Sequence, residues 1–93
     1  MEVIVDLYST KDGEIKRFLN LYYEKDIDLS NSLKWSYRFD NPVKSAELIG
    51  AFIDNNDKFN INMWVSLDPE FFINVTDYNA DKIIRYLFER YPY

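Results

Sequence analysis

From Leu33 to Asp40 the chain alternates without a break, with Leu33, Trp35, Tyr37 and Phe39 on one side and Lys34, Ser36, Arg38 and Asp40 on the other. A period of two places the large apolar side chains on one face of a β-strand and the polar ones on the opposite face. Such a strand belongs to a sheet that is packed on one side and wet on the other. The rest of the chain must then supply further strands of the same parity and helices to cover the dry face.

Both are present. Val3, Val5 and Leu7 alternate with Ile4, Asp6 and Tyr8, a run rich in β-branched residues that predicts a first strand. From Asp12, an expected N-cap, Ile15, Phe18, Leu19 and Tyr22 recur at helical spacing, giving a first helix to about Glu24. Lys25 to Ser32 reads as a loop whose Ile27 and Leu29 tuck back onto the core. Asn41 before Pro42 marks the start of a second helix, with Val43, Ala46, Ile49, Gly50 and Ile53 on its inner stripe and Leu48 and Phe52 on a second flank. After the polar turn Asp54 to Asp57, Phe59, Ile61, Met63, Val65 and Leu67 alternate with Asn60, Asn62, Trp64 and Ser66 in a third strand. Asp68-Pro69-Glu70 has turn chemistry, and Phe71 to Thr76 resumes as a fourth strand. Pairing Leu67 with Phe71, Val65 with Ile73 and Met63 with Val75 keeps all apolar partners on one face, and a slip of one residue would set Val65 against Asn74. A last helix starts from Asp77 or Asn79, with Ala80, Ile83, Ile84, Leu87, Phe88 and Tyr91 as a broad buried face.

The expected fold is a single α+β domain over residues 1–93, of order β-α-β-α-β-β-α. A mixed four-stranded sheet, with three helices packed mainly on one face, is the simplest assembly of those elements. A ferredoxin-like arrangement does not fit, because a helix stands where that fold needs a hairpin. The chain of 93 residues supports one core, and its 7 Phe, 8 Tyr and 2 Trp supply large burial without covalent staples.

Absent residue types exclude whole classes of chemistry. With no Cys and no His, disulfides, thiolate or imidazole metal sites and Ser/His or Cys/His triads are all ruled out. No metal and no cofactor is expected. The paired acids Asp26/Asp28, Asp54/Asp57 and Asp68/Glu70 lack the glycine and the closing glutamate of a calcium loop, so they read as solvated loop charge. A net charge of −5 opposes binding to nucleic acid and to anionic membranes, and it favours a protein partner with a basic surface. The acidic start at Met1 to Asp6 does not read as a secretory signal, and no apolar run approaches the roughly 20 residues of a membrane span, so a cytoplasmic location is expected.

Parity places Tyr8, Arg38, Asn62, Trp64, Phe72 and Asn74 together on the open face of the sheet, among Lys34, Ser36, Asn60, Ser66 and Thr76. Large aromatics among adaptable polar groups are the composition of protein-binding hot spots. The plainer reading is that Trp64 and Phe72 lie diagonally across the hairpin and cover each other. Asp26, Asp28, Asp68 and Glu70 are candidates for steering a basic partner. Asp6, an acid among aliphatics, is the one candidate for carboxylate acid-base chemistry. The leading expectation is therefore a small acidic protein-binding module, such as an inhibitor, an immunity-type protein or a regulator. The alternatives are a small-ligand-binding or carboxylate/Tyr-based enzymatic domain, and a homodimer in which the aromatic patch is purely structural.

Overall fold

The structure is a computed structural model and describes residues 2–29, 33–68 and 71–90, the side chain of Asp68 excepted. The elements follow the order expected: β1 (Val3–Ser9), α1 (Glu14–Tyr23), β2 (Lys34–Phe39), α2 (Pro42–Asp54), β3 (Ile61–Asp68), β4 (Phe71–Val75) and α3 (Ala80–Arg90). A single 3-10 turn, Asn56–Lys58, lies between α2 and β3.

The four strands form one sheet of order β2-β1-β3-β4. Every neighbouring pair is antiparallel, which corrects the expectation of a mixed sheet. The reason lies in the connections. The ten-residue α1 carries the chain about 15 Å from the end of β1. The segment that follows runs back, so that Leu33 arrives beside Ser9, whose N–H donates to the Leu33 carbonyl at 3.0 Å. β2 therefore starts where β1 ended and retraces it in the opposite direction. The crossover through α2 does join two strands that run the same way, β2 and β3, but β1 lies between them and no parallel ladder forms.

Val3, Val5 and Leu7 of β1 and Ile61, Met63, Val65 and Leu67 of β3 are buried in one cluster with Ile15, Phe18 and Leu19 of α1, Ala46, Leu48, Ile49 and Phe52 of α2, and Ala80, Ile83 and Leu87 of α3. All three helices thus cover the same face of the sheet. Phe18 stands at the junction, edge-on to Phe52 at 6.1 Å and to Phe59 at 5.7 Å. Ile27 and Leu29 fold back onto this core as expected. The hairpin takes the expected register, Val65 opposite Ile73 and Met63 opposite Val75, except at its tip, where a bulge between Ser66 and Asp68 sets Phe71 against Asp68.

Helix starts differ in their chemistry. Asn41 caps α2 by accepting from the Val43 N–H at 2.9 Å, with Pro42 in the first turn. α1 begins two residues after Asp12, with Gly13 in the N-cap position at φ 88° and no side-chain cap. Glycine adopts that left-handed conformation without the steric penalty of a Cβ, and the chain uses it to turn from β1 into α1. α3 buries a narrower stripe than its spacing suggests, since Phe88 is exposed and Ile84 is only half-buried. Tyr91, expected on that face, lies outside the described residues.

Candidate protein-binding face

The ladder registers carry the sequence parity across the whole sheet. On the face away from the helices Tyr8 lies opposite Asn62 and Lys34, Asp6 opposite Trp64 and Ser36, and Ile4 opposite Ser66 and Arg38. β4 completes two of these rows, with Asn74 opposite Trp64 and Phe72 opposite Ser66. The structure therefore brings Tyr8, Arg38, Asn62, Trp64, Phe72 and Asn74 to one surface.

Toward β4 the Trp64 and Phe72 rings meet at 5.5 Å with a tilt of 39°. They do cover each other in part: Trp64 is half-buried, whereas Phe72 remains 56% exposed. Toward β2 the polar groups take over. The Lys34 ammonium sits 5.6 Å above the Tyr8 ring, and Arg38 pairs with Glu2 at 3.2 Å, both of them exposed. Asn62 is exposed, while the Asn74 amide is spent on the Met63 carbonyl at 3.2 Å. Asp6 is only 8% exposed even though it belongs to the open face, because it sits under this layer and accepts a hydrogen bond from the Ser36 hydroxyl.

The acidic residues are elsewhere. Asp26 and Asp28 are exposed on either side of Ile27, which lines a cleft with Leu19, Tyr23, Trp35 and Tyr37 on the helix side of the sheet. They do not border the Trp64 face. Asp68 closes β3, and Glu70 lies outside the described residues together with Pro69. Among the described residues no three acidic groups converge as metal ligands would, and no helix is long and apolar enough to cross a membrane.

Three features escape a reading by periodicity. First, β2 is an edge strand, and only Phe39 of its aromatic row is buried; Trp35 is half-buried, Leu33 is exposed and Tyr37 is 50% exposed. Trp35 stacks on Tyr37 at 5.6 Å and 11°, and Tyr37 leans on Phe39 at 4.8 Å, so the row forms a ladder beside Tyr23 of α1. Second, Glu14 is a buried acid whose Oε2 accepts from the Ser9 hydroxyl at 2.7 Å and the Asn60 N–H at 3.2 Å. Third, an apolar groove of about 290 Å³ runs between the β3–β4 hairpin and α3, lined by Leu67, Phe71, Ile73, Lys82, Ile83 and Tyr86. Neither Asp6 nor Glu14, the two buried acids among the described residues, lines this groove or the clefts of about 230, 260 and 300 Å³ elsewhere on the surface.

No family model, no curated protein and no solved structure matches this chain.

Proposed function

We propose that this domain binds another protein through the open face of its sheet, as an inhibitor, an immunity-type neutraliser or a regulator. One observation carries the reading: the Trp64–Phe72 pair bridges β3 and β4 on a face that no described element covers, with Phe72 more than half exposed. Rigid aromatic area with amide and guanidinium groups around it supplies contact surface at small entropic cost, which is the make-up of an interface centre. The excess of acidic over basic residues favours a partner with a basic surface, and Asp26 and Asp28, set away from the contact face, act at long range on the rate of encounter. Catalysis by Asp6 has less support, since the carboxylate is covered and already engaged by Ser36.

The test compares the immobilised domain with its Trp64→Ala and Phe72→Ala variants in extract of the native host. A protein retained by the wild type and lost by both variants is then measured by surface plasmon resonance. Trp64→Ala should weaken the complex about thirtyfold, equivalent to about 2 kcal/mol. Its cost to the fold should be near 1 kcal/mol, the scale of one cross-strand aromatic pair. Asp26→Asn with Asp28→Asn should slow association in a salt-dependent manner and leave dissociation unchanged. An affinity untouched by Trp64→Ala would move the binding surface to the helices.

A further inference from the structure

We infer that β2 is the strand through which two copies of this chain pair, antiparallel about a two-fold axis at Tyr37, to make one continuous eight-stranded sheet. This pairing uses the edge of the sheet and does not rest on the Trp64–Phe72 pair, although Lys34, Arg38 and Asp40, whose charges set its register, lie on the open-face side of β2.

The backbone geometry follows from one hydrogen bond. Ser9 N–H donates to Leu33 C=O, so Ser9 and Leu33 form a hydrogen-bonded pair of the antiparallel ladder. Such pairs recur at every second position, which makes Leu7–Trp35, Val5–Tyr37 and Val3–Phe39 the hydrogen-bonded pairs of β1 and β2. The N–H and C=O groups of Lys34, Ser36 and Arg38 therefore point away from β1, along the free edge. Edge strands are ordinarily guarded by proline, by a bulge, by brevity or by charged side chains. Of these β2 carries only the last, Lys34 and Arg38, which the inferred register places against Asp40 and Ser36 of the other copy. β2 has neither a proline nor a break in its register over six residues. The opposite edge, β4, has five residues and a ladder interrupted at Ser66/Asp68.

Charge selects the partner and the register. If Tyr37 faces its own symmetry mate, Lys34 faces Asp40 of the other copy, Ser36 faces Arg38, and Trp35 faces Phe39. The outward-pointing groups of Ser36 and Arg38 then bond each other, and opposite charges meet at both ends. Shifting the axis to Ser36 would set Lys34 against Arg38, and shifting it to Arg38 would set two guanidinium groups face to face; like charges directly opposite are unfavourable. On the helix side the pairing joins the ladder Trp35–Tyr37–Phe39 to its mate and covers the half-exposed Tyr37. The contact is self-complementary, as a closed two-fold interface requires.

Sedimentation of the wild-type chain over a range of concentrations should show a reversible monomer–dimer equilibrium. The absence of native cysteine allows a direct test of register. In the inferred pairing Tyr37 and its mate form a non-hydrogen-bonded pair with Cα atoms about 4.5 Å apart, within reach of a disulfide. Tyr37→Cys should cross-link to a dimer under mild oxidation, and Ser36→Cys should not. Lys34→Glu should weaken dimerisation about tenfold, the scale of turning two attractive cross-strand pairs repulsive, and Lys34→Glu/Asp40→Lys should restore it. Arg38→Pro removes an outward N–H together with the exposed ion pair to Glu2 and should give a monomer with an unchanged circular dichroism spectrum; should that variant unfold, the charge-reversal pair still decides. A wild-type chain that stays monomeric at every concentration, tighter dimers with Lys34→Glu, or cross-linking of Ser36→Cys in preference to Tyr37→Cys would each overturn the inference.

Discussion

Glu14 is 4% exposed, yet it holds three parts of the chain together: the end of β1 through Ser9, the start of α1 through its own backbone, and the residue before β3 through the Asn60 N–H. The Arg17 guanidinium, one turn on, lies 3.9 Å from the other carboxylate oxygen. A carboxylate in the first turn also faces the positive end of the helix dipole. Removing it by Glu14→Ala deprives a backbone N–H and a hydroxyl of their acceptor, and such orphaned groups cost about 1–3 kcal/mol. The midpoint of urea unfolding should fall accordingly. Glu14→Gln, which keeps an acceptor oxygen, should lose less. The residue is invisible to periodicity because an acid in a first helical turn ordinarily faces solvent. Only the placement of Asn60, 46 residues away, converts it into a buried tie.

The elements show where local chemistry is decisive and where it is not. Asn41 before Pro42 specifies a helix start by itself, and the side chain does accept from the Val43 N–H. Asn41→Ala should therefore cost about 1 kcal/mol, read as a lowered thermal midpoint with no change in fold. The alternation in β1, β2 and β3 was equally legible, as was the hairpin register, because one face is dry and a slip would bury Asn74. That same parity brought the six candidate binding residues to one surface. Strand order was not legible, because a helix followed by a short loop and a helix followed by a returning segment have similar local patterns. The direction of β2 depends on where Leu33 arrives, beside Ser9 at the end of β1 rather than beside Val3 at its start. Nor does alternation reveal whether a strand is central or at an edge. Tyr37 has the pattern of a core residue but is half exposed, since β2 is the outermost strand of the sheet and the helices leave its middle open. The acids at 26 and 28 could not be placed relative to Trp64 for the same reason.

At the scale of the molecule, one group of the aromatics that the core does not fully absorb, Tyr22, Tyr23, Trp35 and Tyr37, lies at the β2 margin and bears on stability at alkaline pH. Tyr22 and Tyr23 pack edge to face at 4.6 Å beside the β2 ladder. Burial raises the Tyr22 phenol above its ordinary value of 10.0, and the negative charges of ionised Tyr23 and of Glu47 add to it. Burial also raises Tyr23, with ionised Tyr37 as the second cause. A phenol that holds its proton more tightly in the folded chain than in the unfolded one leaves stability untouched while both states are protonated and lowers it once the unfolded phenol ionises. Taking the fully protonated state as the reference, folding is unaffected by these groups below the unfolded pKa of about 10. Above it the unfolded chain binds fewer protons than the folded one, so stability falls as pH rises through the folded pKa values. Urea midpoints of the wild type should therefore lose no stability to these two groups while the unfolded phenols stay protonated and should decline from about pH 10 upward. Tyr22→Phe/Tyr23→Phe keeps both rings and removes both ionisations. Its midpoint should decline less over the same interval, and the phenolate absorbance of the wild type should show two tyrosines ionising later than the rest. An identical alkaline decline in the double variant would mean that other groups, the Lys residues among them, account for the loss.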